Sequence, residues 1–219
     1  MKNYIFDFNG TLYQDTPIHL DTWRSFLGKY GYTFTDDTFY KYMCGPPDAA
    51  IIRRFFGQDL PDDRVKQLTD EKEGAYRQLI HDDPSLRSLT PGAAELLDLM
   101  RKLSIPHAIA TGSDRENVDF YMDTLGVSRW FDYDHVFYAE GDLPGKPDPA
   151  IYRLAMRKLG YLPEDTVVVE DAMPGVQSAI GAGVKSVIAI DTTLGPEAFR
   201  GIPEVIGVIH DFHDFARFL

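Results

Sequence analysis

Short apolar runs recur along this chain, each closed by polar or turn-forming residues. Tyr4 to Phe8 (YIFDF) is the first, and Asn9-Gly10 is a turn signal at its end. Ile105 to Ala110, His135 to Tyr138, Thr166 to Val169, Lys185 to Ile190 and Val205 to Ile209 repeat the pattern. None alternates strictly, as expected for strands of a parallel sheet buried on both faces. Helical patterns lie between them. Pro91 to Leu103 places Ala93, Leu96, Met100 and Leu103 on one face, with Thr90 as the expected N-cap. Asp114 to Leu125 and Asp148 to Leu159 follow the second and third strands. Pro174 to Ala182 opens on proline and closes at Gly183. Strand and helix alternate from Pro91 onward, which predicts an α/β fold with a doubly wound parallel sheet and right-handed crossovers.

Between Tyr13 and Leu89 that rhythm stops. The stretch holds helical patterns over Pro17 to Tyr30, Asp48 to Phe56 and Asp62 to Leu79, and no convincing strand. The expected organisation is a core of residues 1–14 and 88–219, with a helical cap of residues 15–87 inserted after the first strand.

Composition narrows the class of partner. The 219 residues are 44% hydrophobic and 13% aromatic, enough for a real core. With 34 acidic and 22 basic side chains the formal charge is -12, a surface that repels nucleic acid and anionic membranes. The expected partner is a small molecule, and a phosphorylated one would need a locally positive pocket or a metal. Cys44 is the one cysteine, so neither an intrachain disulfide nor a thiolate metal site can form. The opening apolar run is too short for a signal peptide, and no stretch approaches the roughly 18 apolar residues of a membrane helix. A soluble, cytoplasmic protein is the expectation.

Open α/β sheets bind ligands at the carboxyl ends of their strands. Four such ends carry chemistry here: Asp7-Phe8-Asn9-Gly10-Thr11-Leu12, Thr111-Gly112-Ser113, Gly145-Lys146-Pro147-Asp148-Pro149 and Glu170-Asp171. Asp7 is a carboxylate able to attack phosphorus and form an aspartyl-phosphate. Bringing it against an anionic phosphate calls for a magnesium ion, and Asp7, Asp171 and a main-chain carbonyl are suitable hard oxygen ligands. Thr111, with the N–H groups of Gly112 and Ser113, makes an anion cradle, and Lys146 supplies a compact positive charge. Each residue also has a plainer reading. Asp7 alone would be a turn former, Thr111 or Ser113 a helix cap, Lys146 a loop residue and Glu170-Asp171 a solvated strand end.

In order along the chain, FDFNGTL, ATGS, GKPDP and VVVEDAMPGVQSAIGAG resemble the four signature motifs of the haloacid dehalogenase superfamily. The resemblance covers the whole chain. A helical cap after the first motif is similar to the arrangement of the phosphoglycolate phosphatase, β-phosphoglucomutase and phosphonatase branch. It implies Asp7 as nucleophile and metal ligand, and Asn9 as a magnesium ligand through its main-chain carbonyl. Thr111 and Lys146 are implied as phosphate binders, Asp171 as acidic metal ligand and Glu170 as a carboxylate beside the metal. The activity implied is hydrolysis of a small phosphorylated metabolite through an aspartyl-phosphate, with Mg2+ as cofactor.

Asn9 departs from the family, which usually has an aspartate there as acid and base. An amide cannot exchange a proton at neutral pH. Three accounts stand open: a leaving group that needs little protonation, a proton from another residue or water, or phosphate-ligand binding with vestigial chemistry. A fourth is deamidation of Asn9-Gly10 to aspartate. In the cap, His19 and Trp23 match a histidine and a tryptophan of β-phosphoglucomutase, which makes His19 a candidate substrate-coupling residue and leaves Trp23 as core. A β-phosphoglucomutase-like mutase is the alternative activity. Against it, Asp48 in Gly45-Pro46-Pro47-Asp48 stands near where that enzyme has a phosphate-gripping arginine. Arg53 and Arg54 read as surface charge, Lys41 as a nominal match to the phosphonatase imine lysine, Cys44 as cap packing, and His210 to Asp214 as part of a terminal amphipathic helix.

Overall fold

The computed structural model describes residues 2–44, 46–141 and 143–219. In chain order the elements are β1 (Asn3–Phe6), α1 (Thr16–Lys29), α2 (Asp36–Tyr42), α3 (Asp48–Phe56), α4 (Asp62–Asp82), α5 (Ala93–Lys102), β2 (His107–Ala110), α6 (Arg115–Thr124), β3 (Val136–Phe137), α7 (Ala150–Leu159), β4 (Thr166–Glu170), α8 (Met173–Gly181), β5 (Ser186–Ile190) and β6 (Val205–Ile209). The chain divides into two compact units, Met1–Gln14 with Ser88–Leu219, and Asp15–Arg87.

In the first unit the strands pair in the order β3-β2-β1-β4-β5-β6, every described pair parallel. This is the doubly wound α/β fold that the alternating pattern predicts. Central β1 lies between β2 and β4, with Tyr4 opposite both His107 and Val167. Its side chains are buried on both faces, Ile5 and Phe6 completely. That register brings the ends of β1, β2 and β4 level, so the residues after Phe6, Ala110 and Val169 meet.

Three expectations change. Thr90 does not cap α5: its hydroxyl donates to the Thr11 carbonyl at 2.6 Å, and Gly92 precedes the helix. Asp114, rather than Ser113, caps α6, accepting from the Asn117 N–H at 2.8 Å. The tail forms no amphipathic helix, only a 3₁₀ turn at Phe215–Phe218. Phe212 is pinned by its N–H to Pro91, and Phe212 and Phe215 pack on the rings of Phe6 and Tyr4. No helix is needed to deliver those rings to the sheet, and the histidines point outward, His210 against Asp191 and His213 against Asp211.

The second unit is helical. Trp23, Phe26, Leu27, Phe39, Ile51, Ile52 and Leu68 form its core, and Cys44 packs against it half-buried. Helix α2 was not foreseen. It is seven residues long and buries only Phe39, so apolar periodicity is faint, although Thr35 caps it by accepting from the Thr38 N–H. Arg53 is not free surface charge, since it holds the Gln58 and Leu60 carbonyls and Asp62. Arg54 and Lys41 lie over the exposed Tyr42 ring. Gly45 lies outside the described residues. Among the described residues no helix is long and apolar enough to cross a membrane.

Candidate active site

The site is built where the three central strands end. The Asp7 N–H donates to the Val169 carbonyl at 2.9 Å, which carries the β1–β4 ladder one step past Phe6 and fixes the direction of the Asp7 side chain. Lys146, from the loop before α7, donates to Asp7 Oδ1 at 2.5 Å, to Glu170 Oε1 at 2.6 Å and to the Ala110 carbonyl at 3.1 Å. Its three protons therefore tie together the ends of β1, β2 and β4. Glu170 is committed further: Tyr152 donates to Oε1 at 2.6 Å, and the Asp171 N–H donates to Oε2 at 3.2 Å. Tyr152 was not singled out in the sequence, because its tie to Glu170 is tertiary.

Asp7, Glu170 and Asp171 each offer an oxygen within 4.8 Å of the others, and all three are buried. Two glycines make room for them. A Cβ on Gly10 would fall 2.2 Å from Asp171 Oδ2, and one on Gly175 would fall 1.9 Å from Glu170 Oε1. Gly10 also holds φ at +76°, which favours glycine for backbone reasons.

The electrostatics follow from three acids sharing one cation. Burial pushes the Asp7 carboxyl up to about 7, against the pull of Lys146 and with a further push from Glu170. Asp171 is raised well above its ordinary value by burial, then by the charges of Asp7 and Glu170. Burial acts to lower Lys146, but Asp7 and Glu170 outweigh it and hold the ammonium above its ordinary value. A buried cluster with surplus carboxylate favours a cation. Hard oxygen donors on short tethers, with the Asn9 carbonyl in the same loop, fit a magnesium-type ion.

Asn9 is held at three points. Its Nδ2 donates to Tyr121 Oη at 2.9 Å, while Oδ1 accepts from Ser113 Oγ at 2.7 Å and lies 3.2 Å from Thr111 Oγ1. Phe8 stacks on the Tyr121 ring at 4.4 Å. The Thr111 hydroxyl thus faces Asn9, and its N–H extends the sheet by donating to Phe137. Gly112 is exposed beside it. Deamidation requires the Gly10 nitrogen to attack the Asn9 amide. That N–H is engaged with the Tyr13 carbonyl at 2.7 Å, and the amide is anchored, so the structure opposes the reaction.

His19 belongs to the helical unit and has its own network there. Its Nε2 lies 3.2 Å from Asp15 Oδ2 and its Nδ1 lies 3.0 Å from Lys72 Nζ, with the ring stacked on Tyr76 at 4.3 Å. Lys72 is only 1% exposed, and Glu73 at 2.5 Å and Asp48 at 3.1 Å complete three partners about its ammonium. Trp23 covers it at 4.9 Å and is itself buried as expected. Burial acts to lower Lys72, but Asp48 and Glu73 outweigh it and hold the ammonium above its ordinary value.

A model of the haloacid dehalogenase-like hydrolases matches residues 1–183. The chain belongs to this family of hydrolases. It is 30% identical over 185 residues to the fructose-1-phosphate phosphatase YqaB of Escherichia coli, covering 84% of this chain and 93% of that one. To the phosphorylated carbohydrates phosphatase of Thermotoga maritima it is 26% identical over 194 residues, covering 87% and 85%. A haloacid dehalogenase hydrolase of family IA, variant 3, from Entamoeba histolytica superposes with a TM-score of 0.89 at 32% identity, covering 97% and 94%.

Proposed function

We propose that the chain is a magnesium-dependent phosphatase of a small phosphorylated metabolite, a sugar or polyol phosphate, acting through an aspartyl-phosphate on Asp7. One observation carries this reading: a buried carboxylate, Asp7, bonded to Lys146 and grouped with Glu170 and Asp171. The names of the relatives, phosphorylated carbohydrates, fructose-1-phosphate and hexitol phosphatases, support the substrate class. Asp7, Asp171 and the Asn9 carbonyl would hold the ion, and Glu170, committed to Lys146 and Tyr152, would stand behind them. Bound there, the ion would offset charge between the Asp7 carboxylate and the phosphoryl oxygens.

In the reaction an Asp7 oxygen bonds to phosphorus as the ester P–O bond breaks. Lys146 and the Thr111–Ser113 loop bind the phosphoryl oxygens. The departing oxygen needs a proton, and Asn9 has none to give. Simple alkyl esters should therefore turn over slowly, and phosphates with a stable leaving anion faster. Water then attacks phosphorus and frees Asp7. The anchoring of Asn9 favours a second reading, a protein that binds phosphorylated ligands with little turnover. The alternative, a β-phosphoglucomutase-like mutase, would yield isomerised sugar phosphate and depend on a bisphosphate primer.

Phosphate release from p-nitrophenyl phosphate, acetyl phosphate and a panel of sugar phosphates tests the proposal. Activity is expected with magnesium, absent with a chelator, and reduced at least about 10⁴-fold in Asp7→Asn. Equal activity in Asp7→Asn would sink the covalent route, and binding of sugar phosphates without release would establish the second reading.

A further inference from the structure

The turn that follows β5 reaches the candidate metal site with two consecutive hydroxyls. Thr192 Oγ1 donates to the carbonyl of Gly10, and Thr193 Oγ1 donates to Asp171 Oδ2. Neither residue belongs to the four motifs, and no pattern in the sequence marked them. Each bond joins the turn after β5 to a different strand end, the loop after β1 in one case and the end of β4 in the other. Among the described residues Thr193 is the donor to the Asp171 carboxylate. Its neighbour Glu170, by contrast, takes protons from Lys146 and Tyr152.

Oδ2 of Asp171 is enclosed on one side by Gly10 and on another by Thr193. A hydroxyl bound to one oxygen of the carboxyl group fixes its rotation about the last torsion. With Oδ2 committed in this way, Oδ1 is the oxygen left to face the acid cluster. Thr192 acts on the other side, holding the Gly10 peptide one residue beyond the Asn9 carbonyl.

We propose that Thr192 and Thr193 form a clasp that pre-sets the divalent-cation site. Thr193 is a positioning residue for Asp171, and Thr192 one for the Asn9-Gly10 backbone. The inference rests on the reading of Asp171 and the Asn9 carbonyl as ligands. The clasp arrays their oxygens before an ion arrives, so its loss is read as weaker cation binding rather than as altered chemistry.

The test is isothermal titration of the full chain with magnesium chloride, without substrate. Thr193→Val keeps the shape and removes the donor, and the magnesium Kd is expected to rise roughly 10- to 100-fold. Thr193→Ser restores the donor and should bind within about twofold of the native chain, with thermal midpoints of both variants close to native. Thr192→Val should weaken binding by a smaller factor, and it carries the test should Thr193→Val fail to fold. Native affinity in Thr193→Val, or in Thr192→Val where that is the variant that folds, overturns the clasp. Asp171→Asn separates the two levels of the argument. If it too binds magnesium normally, the metal-site reading itself falls; if it loses binding while Thr193→Val does not, only the clasp falls.

Discussion

Each unit of this protein sets a lysine among carboxylates beside a tyrosine, and the two clusters are built for different ends. In the helical unit Lys72 has three partners, His19, Asp48 and Glu73, while Asp15 receives the Tyr76 hydroxyl at 2.6 Å and lies 3.2 Å from the His19 ring nitrogen. The acids there are spread around the lysine and the histidine, and Asp48 Oδ2 meets Lys72 as an ion pair without a hydrogen bond among the described residues. In the α/β unit Lys146 also spends all its protons, yet three carboxylates crowd within 4.8 Å, and among the described residues Asp171 is met only by Thr193. Similar residue types thus make a closed structural network in one place and an open demand for positive charge in the other. Burial and acid count alone do not distinguish a functional ion cluster; the convergence of carboxylate oxygens on one point does.

The comparison is sharpened most by adding the missing proton carrier to the open cluster. Asn9→Asp places a carboxyl where Ser113 and Tyr121 already offer hydroxyl partners, so the local fold needs little adjustment. Turnover of alkyl phosphates is expected to rise about 10²–10⁴-fold, the usual worth of a general acid and base. Phosphates with stable leaving anions should gain much less, because their departure needs no proton. Steady-state kinetics on one substrate of each kind checks this, and equal gains on both would mean that proton transfer is not what Asn9 withholds.

Exchanging the two lysines in turn separates the clusters next. Lys72→Met leaves buried Glu73 and half-buried Asp48 without their cation and should cost about 3–5 kcal/mol of stability. Lys146→Met should cost a comparable amount in the absence of metal, for the same reason. The two should part company when magnesium is added. A cation can answer the acids freed by the loss of Lys146, so the gap to the native protein narrows; it has no place among the partners of Lys72, and that gap stays. Urea unfolding with and without magnesium measures both, and a gap that closes equally in the two variants would erase the distinction.

How much of this was legible in the sequence follows the distance over which each feature is set. Asp7, Thr111, Lys146 and Asp171 sit just past apolar runs or in a Gly-Lys-Pro turn, so local pattern and strand order alone put them at neighbouring strand ends. The strand boundaries were softer. The Tyr4 to Phe8 run leaves the named strand after Phe6, because the chain must turn there to present Asp7 and Asn9. Tyr121, Tyr152, Thr193 and Lys72 gave no signal. Tyr121 meets Asn9 from 112 positions away and Lys72 meets His19 from 53, and each would pass as an ordinary helix residue. Their roles are created by tertiary closure, which no local window contains.

The helical cluster carries a pH dependence that a single substitution can isolate. Burial raises Asp48 from 3.8 to about 6, with the pull of Lys72 opposing and the charge of Glu73 adding. A carboxyl whose folded pKa lies above its unfolded value stabilises the fold in its protonated form. That contribution is complete below the unfolded value and is lost as pH rises through about 6. Burial pushes Glu73 up, but Lys72 and the bond from Asp48 outweigh it and leave the carboxyl below its ordinary 4.5; its contribution is therefore lost only as pH falls below that value. Within the helical cluster the window from about 4.5 to 6 therefore belongs to Asp48, and the difference between native and variant removes the parallel contribution of Asp7. Asp48→Asn should remove a stability decline of roughly 1–3 kcal/mol across it, read as the difference between native and variant urea midpoints at each pH. A difference that stays flat from pH 4.5 to 6.5 would mean that Asp48 titrates as an ordinary surface acid, and the helical cluster would then be less closed than its geometry indicates.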